Sequence, residues 1–255
     1  MSNDRAVIPR MKQVAPWMKL IVCMRDPVKR AFSHFNMVVD PEGTPQQKQN
    51  RGRSSWVGRS FDAVVNEELD ELERLGLHDV SALPSFSSSS SSSAGFAIDR
   101  YLRGLPGRGP LPMGHGGHSL VARGLYALQL EPWLAAFPKE QFLFVKMEDL
   151  HGSNSPSSSS SPSSSAMSGS GGNGNGDGGG SGGAAEAVQR VMDRVFEHVG
   201  LPPEALEPAK LTAKNTRAYA PLVEADSPAA KRLRAFYAPH NARLRDLLGD
   251  PSFVW

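Results

Sequence analysis

The chain has 255 residues, 39% of them hydrophobic, with a formal net charge of +2 and a single cysteine. This is enough apolar material for one packed α/β domain once the low-complexity stretches are set aside. The charge is too small to argue for a nucleic-acid partner, the lone thiol excludes an intrachain disulfide, and residues 1–18 hold neither an apolar signal core nor a run able to span a bilayer.

The first element is the run Leu20–Met24, short, continuous and apolar, as expected of a strand buried on both faces of a parallel sheet. Cys23 within it reads as a buried structural thiol. The strand ends on Arg25 and turns through Asp26-Pro27, where Asp as cap and Pro at the first helical position start a helix. Val28, Ala31, Phe32, Phe35 and Val39 recur along it at helical spacing. Arg25 and Ser33 are left near its N-terminal end. A cation and a hydroxyl beside unpaired backbone N–H groups and the positive end of a helix dipole make an anion site, and the expected anion is a phosphate. The alternative is a surface ion pair of Arg25 with Asp26 and an incidental Ser33. Lys29 and Arg30 are placed to help an anion or to face solvent.

Residues 85–93 are almost pure serine, and the Gly- and Pro-rich stretch from Gly104 to Gly117 reads as a loop without a phosphate-binding lysine. His115 and His118 have a spacing that metals use but no further ligands beside them, so no metal is expected. Leu125, Leu128, Trp133, Leu134 and Phe137 supply a helix face, with a bend expected near Glu131 because Pro132 inside a helix costs on the order of 3 kcal/mol. Phe142 to Val145 form a second short strand, after which Glu148 and Asp149 read as caps of the next segment, the alternative being a catalytic acid pair. The Ser-rich, then Gly-rich residues 151–183 read as a linker. Val188, Val191, Met192, Val195, Phe196 and Val199 then trace a packing stripe that stops at Gly200. A last helix starts at Ser227-Pro228, with Leu233, Phe236, Tyr237, Leu244, Leu247 and Leu248 inward and Lys231, Arg232, Arg234, Arg243 and Arg245 outward.

The run Arg-Asp-Pro-Val-Lys-Arg-Ala-Phe-Ser-His-Phe over residues 25–35, read after an apolar strand, resembles the 3′-phosphate-binding element of the sulfotransferase family. In that family the matching Arg and Ser hold the 3′-phosphate of 3′-phosphoadenosine 5′-phosphosulfate (PAPS), so the resemblance implies that role for Arg25 and Ser33. Downstream, Arg123-Gly-Leu-Tyr126, Gln129-Leu130, Trp133-Leu134, Phe137-Pro138 and a strand closing on Glu148-Asp149-Leu150 are similar to the carbohydrate branch, especially its heparan-sulfate-like group. The tail over residues 236–249 looks like that branch's C-terminal helix.

The resemblance implies an α/β fold with a P-loop-NTPase-like parallel sheet and flanking helices, PAPS as co-substrate without a metal, and a carbohydrate acceptor, heparan-sulfate-like by analogy. It also implies a basic loop closing over the donor, for which Lys214 and Arg217 are the nearest equivalents, although the family's usual glycine is absent there. Residues 1–18 contain no strand followed by a Gly-rich, Lys-bearing turn. We therefore expect one partial sulfotransferase-like domain over residues 1–255, interrupted at 85–93 and 151–183 and lacking the N-terminal strand and P-loop. Such a chain anchors the donor but turns over poorly, and the sequence identifies no general base. Eukaryotic members of the branch sit in the Golgi lumen behind a single anchor, while compartment is not legible in these residues. The second reading is a non-catalytic, sulfotransferase-like protein that binds an anionic nucleotide or glycan.

Overall fold

The structure, a computed structural model, describes residues 4–42, 45, 48–49, 54–81, 83, 119–151, 181–207 and 227–255. Among them six α-helices and two strands form, in the order α1 (Asp4–Val14), β1 (Leu20–Met24), α2 (Pro27–Val39), α3 (Phe61–Arg74), α4 (Tyr126–Ala136), β2 (Phe142–Lys146), α5 (Ser181–Val199) and α6 (Pro228–Leu248). The serine run at 85–93, the Gly/Pro loop with His115 and His118, most of the 151–183 linker, and the loop carrying Lys214 and Arg217 lie outside the described residues. The chain divides into two compact units. One comprises residues 1–18, 25–141 and 217–255, and the other residues 19–24 and 142–216.

The smaller unit is built on a parallel sheet of two strands, β1 and β2, in register from Leu20 opposite Phe142 to Met24 opposite Lys146. Both runs are apolar enough to pair without charge repulsion, and the strands are neighbours despite their separation in sequence. The pleat sends Leu20, Val22 and Met24 to one face and Ile21 and Cys23 to the other. Met24 is buried, whereas Ile21 is 42% exposed and Cys23 is also exposed. The expectation of a strand covered on both faces, with a buried thiol, is thus corrected: a continuous apolar run does not distinguish one covered face from two. Helix α5 packs on β2, burying Ala187 and Val191, and Arg194 donates to the Phe144 carbonyl at 3.1 Å. Its stripe ends as read, at Gly200, whose φ of +75° admits the left-handed stop in which the Leu201 N–H bonds to the Phe196 carbonyl at 2.8 Å.

The larger unit is helical. Ser60 caps α3, its Oγ accepting from the Ala63 N–H at 3.1 Å, and Ser227 caps α6 in the same way from Ala230 at 3.1 Å. Helix α2 buries Val28, Ala31, Phe32, Phe35 and Val38 against Phe61, Val64, Val65, Leu69 and Leu72 of α3 and against Leu233, Phe236 and Tyr237 of α6. The rings of Phe32 and Phe61 meet edge to face at 5.3 Å, and Trp56 stacks on Phe35 at 6.3 Å. Helix α4 runs unbroken through Pro132, whose missing N–H leaves the Leu128 carbonyl without its intrahelical donor.

One face of α6 fastens distant backbone. Tyr237 donates to the Val121 carbonyl at 2.7 Å, His240 Nε2 meets the Leu77 carbonyl at 2.7 Å, and Arg243 bonds the carbonyls of Val80 and Leu83 and the carboxylate of buried Glu131. Arg243 therefore points inward, contrary to the sequence reading. Its long stem lets a charged head reach a carboxylate that burial would otherwise leave unpaired. Lys231 and Arg234 are exposed as expected, and Arg232 bridges to Asp70 and Glu73 of α3.

Candidate functional site

The residues that follow β1 make a tight corner into α2. Asp26 is its N-cap: one carboxylate oxygen accepts from the Val28 N–H at 2.8 Å and the Lys29 N–H at 3.2 Å, while the Asp26 carbonyl takes the Arg30 N–H at 2.8 Å. Pro27 has no N–H to offer. The first-turn amides expected to be free for an anion are thus already occupied, and by a negative charge. Capping one's own helix costs less order than waiting for a ligand, so a short Asp at this position takes the donors. Any anion bound here must rely on side chains.

Those side chains are disposed unequally. Arg25 is half-buried, and its guanidinium has no hydrogen bond or ion pair with a described residue. Ser33, also half-buried and without a bond to a described residue, lies six positions beyond Pro27, roughly 9 Å along the helix axis. It stands outside the helix's first turn, apart from the buried stripe of α2. Lys29 is exposed. Arg30 is not available to an anion in solvent, because Nη2 donates to the Leu120 carbonyl and the group faces the Tyr237 hydroxyl.

The corner is held from the far side by the Arg123-Gly-Leu-Tyr126 segment. Tyr126 donates its hydroxyl to the Arg25 carbonyl at 2.9 Å. Gly124 has a steric reason: a Cβ there would sit 2.6 Å from the Tyr237 hydroxyl and 2.8 Å from two ring carbons. The Ala122 N–H donates to Glu68 at 3.0 Å, and the Gln129 amide donates to the carbonyls of Ala122, Arg123 and Leu125 at 3.1–3.3 Å. Ser119, at the start of this segment, is buried with φ of +62°, a strained conformation for a residue with a side chain. Burial holds the Tyr237 phenol protonated, far above its ordinary pKa. Sequence reasoning missed Tyr126 and Glu68 as supports of the corner. The usable signal was a Gly two residues before a Tyr at the entry to a helix, which marks a close approach of another element.

At the end of β2, Glu148 and Asp149 lie in a 3₁₀ turn (Met147–His151), where Asp149 is 3.8 Å from Lys146. The segment they were expected to cap continues outside the described residues. No group of three or more His, Cys, Asp or Glu side chains able to hold a metal occurs among the described residues. No described helix is long and apolar enough to cross a membrane.

The class of protein defined so far is a mixed α/β chain with parallel strands and a basic strand-to-helix corner. Comparison with known proteins gives it kin. The chain is similar to carbohydrate sulfotransferase 15 of Mus musculus and of Rattus norvegicus, 33% identical over 141 residues in each, and to that of Homo sapiens, 30% identical over 138 residues. The match covers 52% of this chain, and the chain spans only 18% of the length of these curated relatives. No protein-family model matches it. The similarity is thus to carbohydrate sulfotransferases, over about half of this chain.

Proposed function

We propose that this chain is part of a sulfotransferase that moves a sulfuryl group from PAPS to a hydroxyl or amine of a carbohydrate, and that Arg25 and Ser33 hold the donor's 3′-phosphate. The observation that carries the reading is the Arg25 guanidinium, unpaired among the described residues, on a corner braced through its own carbonyl by Tyr126. The similarity to carbohydrate sulfotransferases agrees with it. We further propose that the sheet is the P-loop-like kind, that Lys214 and Arg217 close over the donor, and that the acceptor is an acidic, heparan-sulfate-like glycan.

Chemically, the corner's part is positioning. A guanidinium forms two parallel charge-assisted bonds to a phosphate, and a hydroxyl adds one, fixing one end of the donor so that the sulfuryl group is presented in a constant place. By analogy with phosphoryl transfer, the larger share of catalysis is charge stabilisation at the bridging and departing oxygens. Arg25 and Ser33 do not supply that, so the corner binds more than it accelerates. The second reading is a nucleotide- or glycan-binding protein without transfer. Titration calorimetry with 3′-phosphoadenosine 5′-phosphate (PAP) tests the anchor. Arg25→Ala is expected to weaken binding by roughly 10- to 100-fold, the worth of a charged hydrogen-bonded contact, and Ser33→Ala by less. Unchanged affinity in both variants contradicts the assignment. Transfer of labelled sulfate from PAPS to a glycan distinguishes the two readings.

A further inference from the structure

Arg123 is the feature of the larger unit that its fold does not explain. Its backbone is fixed on several sides: Gln129 bonds its carbonyl at 3.1 Å, Glu68 holds the N–H of Ala122, and Gly124 lies against the Tyr237 ring. Its side chain, in contrast, is exposed and makes no hydrogen bond or ion pair with any described residue. The surroundings are unfavourable for a cation. One side of the guanidinium stays open to solvent while protein on the other takes away part of its hydration and lowers its pKa; Arg30 lowers it further by repulsion, and Glu68 acts in the opposite sense. An ordinary solubilising arginine has no reason to stand on an immobilised turn beside a second guanidinium. The same segment, three residues on, bonds the carbonyl of Arg25 through Tyr126.

We propose that Arg123 is a second oxyanion-binding residue at this corner, taking a sulfate or phosphate group. Two sources share that chemistry: the phosphosulfate end of the donor and a sulfate ester on an acidic glycan acceptor. An incoming dianion relieves the repulsion between the two guanidinium groups, and the fixed backbone limits the order lost on binding to the side chain itself. The proposal rests on the reading that Arg25 and Ser33 anchor PAPS, and its test separates the two.

Wild type, Arg123→Gln, Arg123→Lys and Arg25→Ala are titrated with PAPS and with a heparin-derived hexasaccharide, and Arg25→Ala also with PAP. Because the Arg123 side chain is exposed, thermal midpoints of its variants are expected to match wild type, so a change in binding reports the contact and not the fold. Arg123→Gln is expected to lose roughly tenfold in affinity for one probe, with Arg123→Lys retaining most of it. A loss confined to PAPS assigns the donor, and a loss confined to the hexasaccharide assigns the acceptor. Affinity within twofold for both probes overturns the proposal, even where Arg25→Ala weakens PAP. Unchanged PAP binding in Arg25→Ala overturns the anchor instead, and the hexasaccharide arm then decides Arg123 by itself.

Discussion

Gly124 offers the sharpest test of how the corner is braced. Its backbone is not in the left-handed region, so Gly→Ala with nothing nearby should stabilise by about 0.4–1 kcal/mol through the unfolded chain. The structure demands the opposite. A Cβ at residue 124 would lie 2.6 Å from the Tyr237 hydroxyl and 2.8 Å from Cε1 and Cζ, and that ring is 1% exposed with its hydroxyl committed to the Val121 carbonyl. Overpacking costs about 1–3 kcal/mol, and displacing a buried hydroxyl from its acceptor costs about 1–3 kcal/mol more. After the small favourable term, Gly124→Ala should be destabilising by roughly 2–5 kcal/mol, a fall of roughly 4–20 °C in the thermal midpoint. Denaturant titration of Gly124→Ala, Tyr237→Phe and the double variant gives the coupling. Removing the hydroxyl takes away the closest clash, so the alanine should cost about 1 kcal/mol less in the Phe background. An alanine variant as stable as wild type, or an identical cost in both backgrounds, refutes the packing.

Further outcomes follow from the same structure. Burial, helped by Arg243 and opposed by the bond to the Leu77 carbonyl, pushes His240 down to about 4 from 6.5. The unfolded chain therefore takes up the proton first, stability is fully present above pH 6.5, and about 3 kcal/mol is lost as pH falls to 4; in denaturant melts at several pH values, His240→Gln should flatten that slope. Glu131, raised by burial against the pull of Arg243, works in the opposite sense at the acid end, which His240→Gln should leave as the residual slope. Asp26→Asn keeps an N-cap but removes the carboxylate from the amides of α2; calorimetry should show PAP affinity rising a few-fold, since a unit charge at 4 Å in water is worth about 1 kcal/mol, with stability changed by less than about 1 kcal/mol.

Legibility in the sequence followed how local the cause was. The strand run, the Asp-Pro start of α2, the Gly200 stop of α5 and the Ser-Pro start of α6 are set by residues adjacent in the chain, and each formed where read. Helix α3 was overlooked although Ser60 and the spacing of Phe61, Val64, Val65, Leu69 and Leu72 announce it, and α1 carries a proline that obscures its pattern. The inward turn of Arg243 and Arg30, the exposure of Cys23 and the grip of Tyr126 on Arg25 depend on partners far away in sequence. Occupation of the α2 amides was implicit in the same Asp26 that marked the helix start: a good cap and an open anion site compete for the same donors.

The claim that a guanidinium and a hydroxyl read the ribose phosphate of the donor is tested most directly by the affinity difference between PAP and adenosine 5′-phosphate, ligands that differ only in the 3′-phosphate. Wild type is expected to prefer PAP by roughly 10- to 100-fold, and the Arg25→Ala, Ser33→Ala double variant to bind both alike. A preference that survives in the double variant contradicts the account.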